Sequence, residues 1–189
     1  METKASVVLA ILVVLILIIV AVFMYKKYRG HRDQFMPGDP ATPKLREAAS
    51  LIQGNLQCIL QTRDHIRSCA VRADLTGEDQ RLLSAAKHGA ELISENISPL
   101  YEKISHMVPT YENVLAIYQG LCDSDQSIWT NADAFNDASK QLTASISHQK
   151  SYENQISLSV CARQLQNIAK CCYSLCRSIN YLGASLGLV

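Results

Sequence analysis

Three of the seven cysteines in this chain, Cys171, Cys172 and Cys176, lie in the short segment KCCYSLC at residues 170–176. Thiols this close together could ligate a metal, exchange disulfides or carry a palmitoyl group. A zinc site requires paired CxxC or CxxH elements that converge from two places. The chain has no CxxC, and its five histidines are scattered singly. We therefore expect no metal site and no bound cofactor.

The apolar pattern around this segment favours packing for most of its thiols. Cys161 and Cys172 belong to a stripe with alternating spacings of three and four, which is typical of a bundle seam or coiled coil. The stripe consists of Leu158, Cys161, Leu165, Ile168, Cys172, Leu175, Ile179, Leu182 and Leu186. Cys171 and Cys176 lie off its centre and are the candidates for palmitoylated or redox-sensitive thiols. The odd number of cysteines argues against a disulfide framework and fits a reducing compartment.

No other group of residues has the pattern of an active site. Asp123 and Asp125 offer too few oxygen ligands for a calcium loop and are expected in a solvated turn. Trp129 and Phe135 are expected in the core, and Tyr173 in a groove or on the surface. The sequence predicts no catalytic residue, so the chain is not expected to be an enzyme.

The N-terminal region has the pattern of a membrane anchor. Residues 5–25, ASVVLAILVVLILIIVAVFMY, contain no charged side chain and follow a short tail at residues 1–4. About 20 apolar residues are enough for a helix to cross a bilayer. The run is longer than the apolar region of a cleaved signal peptide, which is about 7 to 15 residues. We expect a single transmembrane helix that is retained as a signal anchor.

Basic residues follow this segment and predict its orientation. Lys26, Lys27, Arg29 and Arg32 lie directly after the apolar run, and an excess of Lys and Arg marks the cytoplasmic flank. The same side chains are expected to contact anionic headgroups at the membrane surface. The rest of the chain should then face the cytosol, at the plasma membrane or the endoplasmic reticulum. Residues 26–43 combine this basic stretch with a linker rich in proline and glycine.

Residues 44–189 are predicted to fold as one all-α domain. Apolar periodicity indicates an antiparallel bundle of four long helices and one short one. The first helix should run to about residue 73, followed by a turn over residues 74–79. Pro99 should kink or restart the second helix, with Ser98 as a cap, Thr110 should cap the short third helix, and the fourth should begin near Ser127. The domain has no basic stripe, so we expect no nucleic-acid binding.

Two segments of this domain resemble the transmembrane protein 98 family. They are LIQGNLQCIL at residues 51–60 and AAKHGAELISENISPLYEKISHMVP at residues 85–109. The resemblance covers about residues 51–109 and does not extend to GLCDSDQSIW at residues 120–129. It implies a non-enzymatic, single-pass protein with a bundle similar to vinculin-type and cyclin-D-binding modules. The family acts by binding partners, including a self-cleaving membrane-tethered transcription factor that it restrains.

Two classes of function follow from these observations. The first is a membrane-anchored interaction protein, an adaptor or regulator whose bundle binds a partner protein that the sequence does not name. The alternative is a membrane-bound thiol or redox protein that uses Cys171, Cys172 and Cys176. The stripe of the last helix could complete the core or support a homo-oligomer.

Overall fold

The structure of the protein, a computed structural model, describes residues 41–72 and 77–188. All of them belong to one compact unit, Pro40–Val189. The predicted transmembrane segment at residues 5–25 and its basic flank, Lys26, Lys27, Arg29 and Arg32, lie outside the described residues. Among the helices that are described, none is both long and apolar enough to cross a bilayer.

The described residues are all-α, as predicted. Four helices are long, with 30, 30, 22 and 35 residues, and one has only 12. In chain order they are α1 Pro43–Arg72, α2 Gly77–His106, α3 Tyr111–Cys122, α4 Asp125–Ile146 and α5 Tyr152–Leu186.

Neighbouring long helices run antiparallel. Residues nearer the C-terminus of one helix contact residues nearer the N-terminus of its neighbour. This holds for α1 with α2, for α1 with α5 and for α4 with α5. The hydrogen-bonded or disulfide-linked pairs are Gln53–Ser105 and Arg67–Glu91, then Asn55–Ser178 and Cys58–Cys171, then Asp133–Tyr173 and Ser139–Ala162.

Two predicted boundaries need correction. The linker was expected to continue to residue 43, but Ala41 is 1% exposed and its N–H donates to the carbonyl of Pro109 at 2.8 Å. The bundle therefore begins before Pro43. The turn was expected to continue to residue 79, but α2 already begins at Gly77. Asp79 is buried in its first turn, where the Gln149 amide donates to it at 3.1 Å.

Of the two predicted effects of Pro99, a kink or a restart, the restart does not occur, since α2 is continuous from Gly77 to His106. Pro99 lies on the exposed side of α2. Proline has no N–H, so the carbonyl four residues earlier lacks its helical hydrogen bond. At this exposed position that carbonyl can be solvated. Ser98 is not a cap, because its hydroxyl donates to the carbonyl of Ser94 at 2.6 Å within the helix.

The ends of the shorter helices follow local signals. Thr110 is the N-cap of α3, as predicted, and its side chain accepts a hydrogen bond from the Asn113 N–H at 3.3 Å. α4 begins at Asp125, two residues earlier than predicted. At the other end of the domain, Gly187 closes α5 with φ of 72°, a left-handed conformation that glycine adopts without strain.

The apolar stripe predicted for α5 is confirmed, because all nine of its residues are buried. Together with α1, α2, α3 and α4 they form one continuous core that includes Phe135, Ile52 and Ile97. The stripe therefore completes the bundle core.

Two helical glycines provide a matched prediction about packing. An added Cβ at Gly54 on α1 would meet nothing within 4 Å, so Gly54→Ala should stabilise the protein by about 0.5–1 kcal/mol through helix propensity. At Gly89 on α2 the same atom would lie 2.8 Å from Asn131 Oδ1 and 3.4 Å from Phe135 Cε1. Gly89→Ala should therefore destabilise it, because the Asn131 side chain is held by its hydrogen bond to the Ser127 carbonyl. Urea unfolding of both variants would test the difference in sign.

Candidate functional site

The three cysteines of KCCYSLC lie in different environments within the bundle. Cys171 is half-buried and forms a disulfide with Cys58 of α1, with a Cα–Cα distance of 6.1 Å. Cys172 and Cys176 are buried in the core. The expectation of a reduced thiol is wrong for Cys171, because the packing of α1 on α5 places Cys58 beside it. Cys176 was expected off the centre of the seam and is instead 1% exposed.

Burial makes the two core thiols poor nucleophiles. It raises the pKa of the Cys172 thiol to about 12. Burial also raises the pKa of Cys176, and a hydrogen bond with Asp125 and the charge of that carboxylate act in the same direction. The thiolate is the reactive form of cysteine, so both side chains are weak nucleophiles near neutral pH.

Asp125 is not the solvated turn residue that the sequence predicts. It is the first residue of α4 and is only partly exposed. Its Oδ1 atom is buried without a hydrogen-bond partner. The start of α4 packs against α5, which turns this carboxylate toward the Cys176 thiol. No group of three His, Cys, Asp or Glu side chains within residues 41–72 and 77–188 is arranged to hold a metal ion.

A second pair of cysteines, Cys69 on α1 and Cys161 on α5, lies at a cavity of about 320 Å³ between these helices. Cys161 is 2% exposed, whereas Cys69 is half-buried. A hydrogen bond with the Cys69 thiol, together with burial, raises the pKa of Cys161 well above its usual range. The sequence pattern did not single out this pair, because its members are far apart in the chain.

An aromatic patch, defined here as Trp129, Asp133 and Tyr173, lies on the surface where α4 meets α5. The rings of Trp129 and Tyr173 have centroids 5.2 Å apart and an interplanar angle of 56°. The Tyr173 hydroxyl donates to Asp133 Oδ1. Trp129 is 37% exposed, so its predicted core position is wrong, whereas Phe135 is buried as predicted. Tyr173 is half-buried, in agreement with its predicted groove position.

The hydrogen bond to Asp133 predicts a pH dependence of stability. This bond, with burial and the Asp133 charge, raises the pKa of Tyr173 from its ordinary value of about 10 to about 12. Between these values the unfolded chain loses a proton that the folded chain keeps, so stability falls as pH rises. The stability difference between the wild type and Tyr173→Phe should therefore shrink above pH of about 10. Urea unfolding at pH 9 and at pH 11 would measure it, and a constant difference would contradict it.

Comparisons with protein-family models, with curated proteins and with solved structures found no match to this chain.

Proposed function

We propose that this protein is a single-pass, membrane-anchored interaction module whose helical bundle binds a partner protein at the aromatic patch. The observation that carries the proposal is the exposed Trp129 ring, which packs on the half-buried Tyr173 beside the Asp133 carboxylate. Trp and Tyr are enriched among the residues that contribute most to binding at protein interfaces. The apolar, uncharged segment at residues 5–25 supports the membrane anchor.

The chemistry of the patch favours a helical partner segment that carries both apolar and basic side chains. The exposed face of Trp129 can accept an apolar side chain or a cation, since Arg and Lys are attracted to aromatic rings. Asp133 adds a carboxylate at the edge of the ring pair. The second nearby carboxylate, Asp137, is already paired with Lys140 at 3.0 Å. One basic residue next to one apolar anchor would satisfy the patch.

The resemblance to the transmembrane protein 98 family supports the same class of function. The residues that carry it lie in α1 and in α2, and they continue to Pro109 just after α2. In that family the bundle restrains a membrane-tethered transcription factor. By analogy, the partner proposed for this protein is a regulator tethered to the same membrane.

The alternative of a thiol enzyme at KCCYSLC has little support in the geometry. Cys171 is bonded to Cys58, and Cys172 and Cys176 are buried with raised pKa values. The three thiols therefore do not form a common reactive site. We retain the interaction module as the proposed function.

Site-specific cross-linking would test the proposed surface. A photoreactive phenylalanine analogue would replace Trp129 in the full chain expressed in cells. The control would replace Leu92 on α2, which is similarly exposed at 44% but lies outside the patch. We expect a discrete cross-linked protein at position 129 and none at position 92, and a Trp129 adduct that is lost in an Asp133→Arg background. The absence of an adduct at 129, or the same adduct at both positions, would contradict the proposal.

The membrane orientation has its own test. One glycosylation acceptor would be placed near Asp39 and another after Val189 in the full chain. The basic residues that follow the anchor predict no glycan-dependent mass shift at either position. A shift at both positions would place the bundle on the opposite side of the membrane, where disulfides such as Cys58–Cys171 persist.

A further inference from the structure

Cys69 and Cys161 lie across the same helix pair as Cys58 and Cys171, about three helical turns away. Because α1 and α5 run antiparallel, a step toward the end of α1 corresponds to a step toward the start of α5. Cys69 lies eleven positions after Cys58, and Cys161 lies ten positions before Cys171. Both pairs therefore lie across the same interface, but ten residues turn α5 by about 80° less than three full turns, so Cys161 lies in the buried seam whereas Cys171 lies at its edge.

The two side chains of the second pair line the same cavity. The Cys161 thiol is hydrogen-bonded with that of Cys69. The pair lies at the cavity between α1 and α5, whose lining includes His65 of α1 and Val160 of α5. The cavity gives a small reagent access to Cys69, whereas Cys161 is shielded by the core. The three remaining cysteines outside these pairs, Cys122, Cys172 and Cys176, are not part of this interface pair.

We infer that Cys69 and Cys161 form a second disulfide across α1 and α5, made by exchange with a low-molecular-weight disulfide such as glutathione disulfide that enters the cavity. This modification site does not depend on the partner-binding function proposed above. The two features share only α5, which carries Cys161 of the pair and Tyr173 of the aromatic patch.

The exchange balances with one glutathione disulfide. Cys69, the more accessible thiol, loses its proton and attacks one sulfur of the reagent, which forms a mixed disulfide and releases the first glutathione. Cys161 then loses its proton and attacks the Cys69 sulfur, which releases the second glutathione. Two protein thiols are oxidised, one glutathione disulfide is reduced, and the two protons are transferred to the released thiolates.

The geometry also orders the two steps. Attack by Cys69 comes first because its side chain reaches the cavity. Resolution by Cys161 is slower, because its side chain is 2% exposed in the core and burial disfavours its thiolate. We therefore expect a transient mixed disulfide at Cys69 before the second cross-link closes.

Thiol counting on the wild-type full chain tests the inference without relying on any variant. The reduced, purified protein would be incubated with glutathione disulfide, quenched in acid, denatured and alkylated. Peptide mapping should find Cys69 linked to Cys161, with Cys172 and Cys176 open to alkylation and the exposed Cys122 either open or carrying glutathione. Five open thiols with only Cys58 and Cys171 linked would overturn the inference. A glutathione adduct at Cys69 that never resolves would overturn it as well.

Two variants supply controls for the order of steps. Cys161→Ala should trap the glutathione adduct at Cys69 while Cys58 and Cys171 still pair. Cys122→Ala, which removes an exposed thiol outside both pairs, should leave both cross-links intact. The absence of glutathione from Cys69 in Cys161→Ala would contradict the proposed route, whether or not the exposed Cys122 carries it.

Discussion

Replacing Phe135 with alanine is expected to lower the free energy of unfolding by about 3–5 kcal/mol. Phe135 is 1% exposed and belongs to the largest fully buried side chains of the core. It approaches α2 at Gly89, where an added Cβ would lie 3.4 Å from its ring. The absence of a side chain at Gly89 means that no neighbouring group can move in to fill the space. A cavity would remain, and its walls would lose their dispersion contacts.

Urea unfolding of the purified full chain, followed by circular dichroism, would measure this effect. The loss would be a large part of the stability of a typical domain, which is about 5–15 kcal/mol. Leu92→Ala provides the control, because Leu92 is an apolar residue on a neighbouring helix that is 44% exposed. Its replacement should change stability by no more than about 0.5 kcal/mol. Equal losses for the two variants would contradict the assignment of Phe135 to the core.

Removing the Cys58–Cys171 disulfide is expected to cost about 4–5 kcal/mol, through the unfolded state. The two residues are separated by 113 positions, so the cross-link closes nearly the whole described domain into one loop. A closed loop of this length has far fewer unfolded conformations than an open chain. The entropy of the unfolded state therefore rises when the bond is broken, while the helix contacts remain.

The double variant Cys58→Ala/Cys171→Ala should show this loss when compared with the oxidised wild type in urea. When both proteins are kept under reducing conditions, the wild type should have the same stability as the double variant, because neither then carries a cross-link. Cys122→Ala is the matched control, since it removes a thiol that forms no disulfide. A double variant as stable as the oxidised protein would show that the cross-link does not limit the unfolded chain.

Much of the fold could be predicted because it depends on local signals. The stripe of α5 repeats at the helical period, so its nine members were identified correctly as one buried face. Thr110 was identified as a cap because a hydroxyl at that position can accept from the first turn. The burial of Phe135 follows from the same periodicity in α4. Each of these predictions involves residues within a few turns of one another.

The candidate sites depend on contacts between residues that are distant in the chain. Periodicity indicates which face of a helix is apolar, but not which other helix covers its edges. Trp129 was therefore predicted in the core, but its side chain is 37% exposed where α4 meets α5. Cys176, in contrast, was expected off the centre of the seam and is buried.

The amino-acid pattern was thus sufficient for the all-α class, the number of long helices and the face that each turns inward, because backbone hydrogen bonding and apolar spacing act locally. The pairing of Cys58 with Cys171, the contact of Cys69 with Cys161 and the stacking of Trp129 on Tyr173 needed the packed bundle. Those contacts depend on the order in which helices pack and on their rotation about their axes. Both are set by the complementarity of many side chains at once, and no short segment of the chain encodes them.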